Sequence, residues 1–233
     1  ARISRVCGIP IIFKGSFDKA NRSRLGSPRG PGLREGLKLL AEVKEKTGLP
    51  ILTDIHEADQ AIEVATVADV LQIPAFLARQ TDLLESAGKT GKPVNIKKAP
   101  WMSSAELKGA QHKVQNSLNS KVIVTERGTF FGYGDLVVDM RNFVRIQNQL
   151  SCPIYFDGTH SVQRPGNDFG SSGGDSVFTP SLVLAAVAAG CDGIFLEVHP
   201  NPSKAPSDGS TMLQLDELEF LLEKVMNIKK VLG

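Results

Sequence analysis

The sequence predicts an α/β fold of the (β/α)8 TIM-barrel class, with residues 1–233 forming a single catalytic domain. Three observations carry this expectation. Short strand-like runs are nearly continuous in apolar character, as parallel strands covered on both faces require. Helical patterns recur between them, which makes the sheet parallel. The chain of 233 residues has a length at which α/β barrels often remain one domain.

The elements follow in order. "ARISRVCG" (1–8) reads as the last turns of a helix, with Ile3 and Val6 on one side and Gly8 as its stop. The strand runs are "IPIIFK" (9–14), "LPILTDI" (49–55), "VLQIPA" (70–75), "PVNIKK" (93–98), "KVIVTER" (121–127), "CPIYFDGTH" (152–160) and "GIFLEVH" (193–199). Between the first two, Leu33, Leu37, Leu40 and Val43 recur at three- and four-residue steps, and Gly48 closes that helix. "TPSLVLAAVAAGCDG" predicts a buried helix, and "LDELEFLLEKVMNIKKVL" an amphipathic one. Seven strand runs are visible, whereas the barrel needs eight. Taken with the helix tail at residue 1, this predicts that the first strand and most of the first helix, roughly 25 residues, precede this chain. An open doubly wound sheet is the alternative, disfavoured because no dinucleotide glycine fingerprint follows the first strand.

Composition narrows the function. The 41% hydrophobic content supports a sizeable core, and a formal charge of +2 argues against nucleic acid as a partner. Cys7, Cys152 and Cys191 are widely spaced with no CxxC pair, which predicts reduced thiols in a cytoplasmic protein. No apolar run approaches the roughly 18 residues of a membrane span. Cys152 and Cys191 lie at or beside strand starts in apolar surroundings, a poor setting for a nucleophile.

Each strand run ends in chemically capable side chains: Lys14; Asp54 with His56; Gln72; Lys97 and Lys98; Glu126 with Arg127; Asp157 with His160; Glu197 with His199. In a barrel such residues converge on one mouth. Lys14, Lys19, Arg22, Lys97, Lys98 and Arg127 would crowd that mouth with cations. Their repulsion is tolerable only if anions occupy it, two phosphorylated substrates or a phosphate plus a carboxylate. Adjacent Lys97 and Lys98 face opposite ways on a strand, so one of them is expected to snorkel outward and pair with an acid. His160, Glu197 and Asp208 could hold a divalent transition metal with open positions, or could serve as a general-base and hydrogen-bonding set. His199, before Pro200, suits either the site or a strand-end cap. The glycine- and serine-rich 165–176 stretch is either a slack surface loop or a lid over the mouth.

Taken together, "FKGSFDKANRS", "TDIHE", "QIPAFLARQTDLL", "NIKK", "TERGTFFGYGDLVVDMR", "GTHSVQRPG", "SGG", "AAGCDGIFLEVHPNP" and "SDGST" resemble the family of 3-deoxy-D-manno-octulosonate 8-phosphate synthases from about residue 9 onward, with Arg164 at a position where the family pattern varies. The related 3-deoxy-heptulosonate 7-phosphate synthases read more like K-P-R-T-S at the first strand end, which is not found here. The resemblance implies condensation of phosphoenolpyruvate with arabinose 5-phosphate, in lipopolysaccharide biosynthesis, by a cytoplasmic homotetramer. Erythrose 4-phosphate as the aldehyde, or an inactive barrel kept as a binding module, are the alternatives. It further implies that Lys14, Ser16, Lys19, Lys97 and Arg127 bind phosphoenolpyruvate. Asn21, Arg22 and Ser23 would bind arabinose 5-phosphate, and Arg79 would lend a phosphate contact across a subunit interface. Gln72 is expected beside the substrates, with Lys19, Asn21, His160 and Asp208 as the catalytic set. His160, Glu197 and Asp208 match the family's metal-ligand positions for one divalent ion (Zn, Fe, Mn, Co or Cd). Metal-using members carry cysteine on the first barrel strand where the others carry asparagine. Cys7 lies too late to be that position, and "SDGST" is closer to the metal-using pattern. "KANRSR" has Arg24 where a second serine is common.

Overall fold

The computed structural model describes residues 1–21, 25–131, 134–165 and 173–233. Seven strands form one sheet in sequence order. They are β1 (Phe13–Lys14), β2 (Ile51–Asp54), β3 (Val70–Ile73), β4 (Val94–Lys97), β5 (Val122–Glu126), β6 (Ile154–Asp157) and β7 (Gly193–Phe195). Helices intervene: α1 (Arg2–Cys7), α2 (Leu33–Thr47), α3 (Gln60–Val64), α4 (Thr81–Lys89), α5 (Ser104–Gln115), α6 (Arg141–Gln149), α7 (Thr179–Ala188) and α8 (Leu215–Leu232). The chain falls into two compact units, residues 1–97 with 106–123, and residues 98–105 with 124–233. α5 and β5 contribute residues to both.

In the first unit β1, β2, β3 and β4 pair in parallel. Every residue of β2, β3 and β4 is buried, so the unbroken apolar runs do mark strands covered on both faces. β1 is far shorter than the 9–14 run. Ile9 directs its N–H to Ser4 O at the end of α1, and Pro10 has no N–H to give, so pairing begins only at Phe13. α1 ends at Gly8 and α2 at Gly48, with φ of 65° and 69°; both glycines adopt the left-handed cap that a side chain resists. Leu37 and Leu40 of α2 turn inward, and Phe17 lies beneath that helix, 1% exposed. A Cβ on Gly36 would sit 2.3 Å from the Phe17 Cβ. A glycine here lets α2 approach closely enough to bury the ring, a burial that contributes roughly 2–3 kcal/mol.

In the second unit β6 pairs in parallel with both β5 and β7. α6 lays Phe143 edge-on against Phe156 of β6, their centroids 6.0 Å apart. α7 buries Val183, Ala186 and Val187, and α8 buries Leu221, Leu222 and Val225. The run expected as one strand over 193–199 is interrupted at 196–197. Val198–His199 pairs instead with Leu213–Gln214, because Glu197 O accepts the N–H of Leu213. Two antiparallel ladders follow the ends of β5 and β6: Thr129–Phe130 with Leu136–Val137, and Gln163–Arg164 with Gly173–Gly174. No helix among the described residues is long and apolar enough to cross a membrane.

One buried ion pair ties the second unit's loops together. Lys98 Nζ lies 3.3 Å from Glu126 Oε1, and both side chains are fully buried. The ammonium also donates to Gly128 O (3.1 Å), Thr129 Oγ1 (3.2 Å) and Ala99 O (3.3 Å). Glu126 accepts from Gly128 N–H (2.7 Å) and from Asn142 Nδ2 of α6 (3.0 Å). Removing one member leaves the other charged, dry and unopposed. Lys98→Met should therefore cost about 3–5 kcal/mol in urea unfolding, and Lys98→Met with Glu126→Leu should recover much of that loss. A single variant as stable as the parent would show that the pair does not carry this role.

Candidate active site

The first unit contributes a row of polar groups. Lys14 stands opposite Leu52, Asp54 opposite Gln72, and Gln72 opposite Asn95. Because side chains alternate along a strand, Lys14, Asp54, Gln72, Asn95 and Lys97 share one face. Asn95 Nδ2 donates to Gln72 Oε1 at 3.3 Å. Lys14 Nζ donates to Ser16 Oγ at 2.6 Å and lies 3.7 Å from Asp54 Oδ1. His56 Nε2 is 2.8 Å from Asp54 Oδ2, its ring set edge-on to Phe17 at 5.6 Å, and Gln60 Oε1 receives the His56 backbone N–H. Burial alone would raise the Asp54 pKa. The Lys14 ammonium and the hydrogen bond from His56 outweigh it and hold the carboxyl below the usual carboxylate range.

Beyond β1, Asp18 is clamped by both Arg29 Nε (2.9 Å) and Arg29 Nη2, and Lys19 N–H donates to Arg29 O. Lys19 is half-buried and Asn21 exposed. Arg22 and Ser23 lie outside the described residues. Arg79 is exposed beyond β3, and its carbonyl accepts from Lys113 Nζ at 2.8 Å.

In the second unit the strand alternation separates neighbouring charges. Thr125 pairs with Tyr155, Tyr155 with Gly193 and Asp157 with Phe195, so Arg127 and Glu197 continue the row that holds Asp157. Glu126 belongs to the opposite row with Phe156, on the side covered by α6. Of the adjacent Lys97 and Lys98, it is Lys98 that pairs with an acid, in the interior rather than in solvent.

Asp157 is fully buried and spends its oxygens locally. Oδ1 accepts from His160 N–H (2.9 Å), Thr159 N–H and Thr159 Oγ1, while Oδ2 lies 2.7 Å from His160 Nδ1. With Nδ1 directed at the carboxylate, His160 turns Nε2 towards Glu197, 3.7 Å from its Oε1. Thr159 Oγ1 also receives the Glu197 N–H at 3.1 Å, so Asp157 and Thr159 set both residues. Asp208 completes the group: one ligand atom from each of His160, Glu197 and Asp208 lies within 4.8 Å of the others. One imidazole and two carboxylates, with a carboxylate behind the imidazole, fit a divalent transition metal.

Arg127 is buried, 7% exposed. Burial lowers its pKa, and the carboxylates of Asp157, Glu126, Asp208 and Glu197 oppose that effect. With Glu126 paired to Lys98 on the other face, the Arg127 guanidinium is left among the carboxylates of Asp157, Asp208 and Glu197, an excess of negative charge that suits an added cation. Gln163 joins Arg127 to Asp208: Arg127 Nη2 donates to its Oε1 at 2.6 Å, and its Nε2 donates to Asp208 Oδ1 at 2.9 Å. The sequence shows Gln163 only as part of a family motif, with no role, and passes over Asn142, because neither type is charged and only the folded register shows what they join. His199 Nδ1 accepts the Asn201 N–H at 2.9 Å, which makes it a turn cap. The lid expectation for 165–176 falls mostly on residues outside the described set. Burial pushes the Cys152 thiol to about 11 and the Cys191 thiol to about 12, as inert structural cysteines would show.

A pH dependence follows from Asp54. Its folded pKa is lowered below the unfolded value near 3.9, so its stabilising effect is complete above about pH 5 and is lost as the pH falls. Urea midpoints of the parent and of Asp54→Asn should therefore converge between about pH 5 and pH 2. A constant gap across that range would contradict the assignment.

The chain matches the model of the DAHP synthetase I family over residues 1–232. It is similar to several proteins named 2-dehydro-3-deoxyphosphooctonate aldolase. That of Fusobacterium nucleatum is 50% identical over 98% of this chain and 83% of its own length. Those of Syntrophotalea carbinolica and Citrifermentans bemidjiense are each 49% identical, covering 96% and 100% of this chain and 80% and 86% of their own lengths. By these matches the chain belongs to the DAHP synthetase I family and, within it, to the 2-dehydro-3-deoxyphosphooctonate aldolases, also called 3-deoxy-D-manno-octulosonate 8-phosphate synthases.

Proposed function

We propose that the protein is a 3-deoxy-8-phosphooctulonate synthase, a transferase that condenses phosphoenolpyruvate with D-arabinose 5-phosphate to give the octulosonate 8-phosphate and inorganic phosphate. The observation that carries this reading is the near full-length match, at about half identity, to relatives bearing that name. The K-A-N-R-S stretch at 19–23 supports the five-carbon aldehyde over erythrose 4-phosphate. The fold is read as the (β/α)8 barrel, its sheet supplying seven strands in sequence order, and residues 1–233 as one catalytic domain.

In this reading Lys14, Ser16, Lys19, Lys97 and Arg127 neutralise the phosphate and carboxylate of phosphoenolpyruvate, which lets its C3 approach the aldehyde without charge repulsion. Asn21, Arg22 and Ser23 hold arabinose 5-phosphate, with Arg79 lent by a neighbouring subunit of a homotetramer. Gln72 lies beside the substrates. The C3–C1 bond forms, water adds at C2, and the C2–O bond to phosphate breaks, its electrons leaving with the phosphate. Lys19, Asn21, His160 and Asp208 manage the protons. His160 suits a proton-handling role or a ligand role, one excluding the other: Asp157 takes up its Nδ1, and the one Nε2 lone pair serves either a proton or an ion. His160, Glu197 and Asp208 would hold one divalent ion, Zn, Fe, Mn, Co or Cd, which supplies Lewis-acid polarisation of the aldehyde. The pathway is lipopolysaccharide biosynthesis in the cytoplasm.

Phosphate release should require both phosphoenolpyruvate and arabinose 5-phosphate. Faster release with erythrose 4-phosphate would install the heptulosonate reading, and binding without turnover would install the binding-module reading. Lys97→Ala should raise KM for phosphoenolpyruvate by about tenfold or more, as loss of a charge-assisted hydrogen bond implies. An unchanged KM would remove Lys97 from the site. Activity should fall with a chelator and return with divalent ions.

A further inference from the structure

We propose that Gln163 is a positioning residue that ties the anion-binding Arg127 to the cation-binding Asp208, so that a ligand at either one sets the affinity of the other. This rests on the phosphoenolpyruvate and metal roles given to those two residues above.

The chemistry of the partners fixes the amide. A guanidinium has donors and no acceptor, so the Gln163 oxygen must face Arg127 Nη2, at 2.6 Å. The amide nitrogen is then directed at Asp208 Oδ1, at 2.9 Å, where a carboxylate can only accept. A flipped amide would oppose donor to donor and acceptor to acceptor at both ends. The bridge therefore has one orientation, imposed from both sides. Its grip on Oδ1 restricts the plane of a carboxylate whose ligand atom lies within 4.8 Å of those of His160 and Glu197.

The backbones that carry the bridge are closely set. A Cβ on Gly174 would lie 2.2 Å from Thr211 Cγ2, 2.7 Å from Val162 O and 3.3 Å from Gln163 Cα. The glycine thus fills the gap between the strand bearing Gln163 and the turn bearing Asp208. That turn is itself held, since Asp208 adopts φ 53° and its carbonyl accepts from Thr211 N–H, Thr211 Oγ1 and Met212 N–H. With both backbones fixed, a change at Arg127 reaches Asp208 through the amide. An anion on Arg127 competes for the donors that Gln163 uses, and linkage makes the effect reciprocal.

The test is a Co2+ titration, followed by the ion's visible absorption, on the full chain and on Gln163→Met and Gln163→Asn, each with and without saturating phosphoenolpyruvate. Methionine keeps the length and loses both bonds. Asparagine keeps an amide but is one methylene too short to span both partners, and it serves if the methionine variant fails to fold. In the parent, phosphoenolpyruvate should change the Co2+ Kd by about fivefold or more. In the variants Co2+ affinity should fall by about tenfold or more, and the effect of phosphoenolpyruvate should shrink towards none. Variants that bind Co2+ within about twofold of the parent, with the same response to phosphoenolpyruvate, would overturn the inference even if their Tm fell, for that is what a merely structural glutamine would do. A parent that binds Co2+ without any response to phosphoenolpyruvate would overturn it alone. A parent that binds no Co2+ would overturn the metal role as well.

Discussion

The alternation of side chains along parallel strands is the constraint on which this molecule's chemistry depends. It turns adjacent charged residues into residues with different tasks. Glu126 faces α6, where it meets Lys98 and Asn142, while Arg127, one residue later, shares a row with Asp157. A slip of one residue in β5 would exchange the two, placing a guanidinium beneath a helix and a carboxylate in the row of Asp157. The Lys98–Glu126 pair guards against that slip. Its bonds to Gly128 and Thr129 fix the turn that follows Arg127.

Compensation of buried charge explains the rest. Asp54 is kept ionised by Lys14 and His56, Lys98 by Glu126, and Arg127 lies among four carboxylates. These cations are therefore less hungry for an anion than their number in the sequence suggests. The second unit's own balance runs the other way: its carboxylates outnumber its cations, and the surplus collects where His160, Glu197 and Asp208 meet. Two carboxylates beside an imidazole suit a cation. The first unit's row carries Lys14 and Lys97, to which the proposed function gives the phosphate and carboxylate of phosphoenolpyruvate. A cation site and an anion site in one chain suit the proposed metal-assisted condensation of phosphorylated substrates.

Much of this was legible in the sequence. The helix at 33–47 follows from three- and four-residue apolar steps and a closing glycine, those at 179–188 and 215–232 from a buried apolar run and an amphipathic one, and the fully buried strands from unbroken apolar runs. His160, Glu197 and Asp208 could be named together because the first two lie at the ends of strand runs, the third in the loop that follows, and all three match the family's metal-ligand positions. What stayed hidden depended on register or on a missing donor. Pro10 shortened β1 by withholding an N–H, which apolar character does not report. The split of the 193–199 run followed from the pairing of Val198–His199 with a distant segment. Counting cations could not reveal the acids placed against them, and an uncharged glutamine gave no reason to suspect a bridge 45 residues long in sequence.

The central claim is that the chain joins C3 of phosphoenolpyruvate to a sugar aldehyde, rather than hydrolysing or merely holding it. Phosphoenolpyruvate labelled with 13C at C2, incubated with arabinose 5-phosphate and followed by 13C NMR, addresses this directly. The olefinic C2 signal should give way to that of a hemiketal carbon in an eight-carbon sugar acid. Conversion to the carbonyl signal of pyruvate, or an olefinic signal that persists with both substrates present, would contradict it.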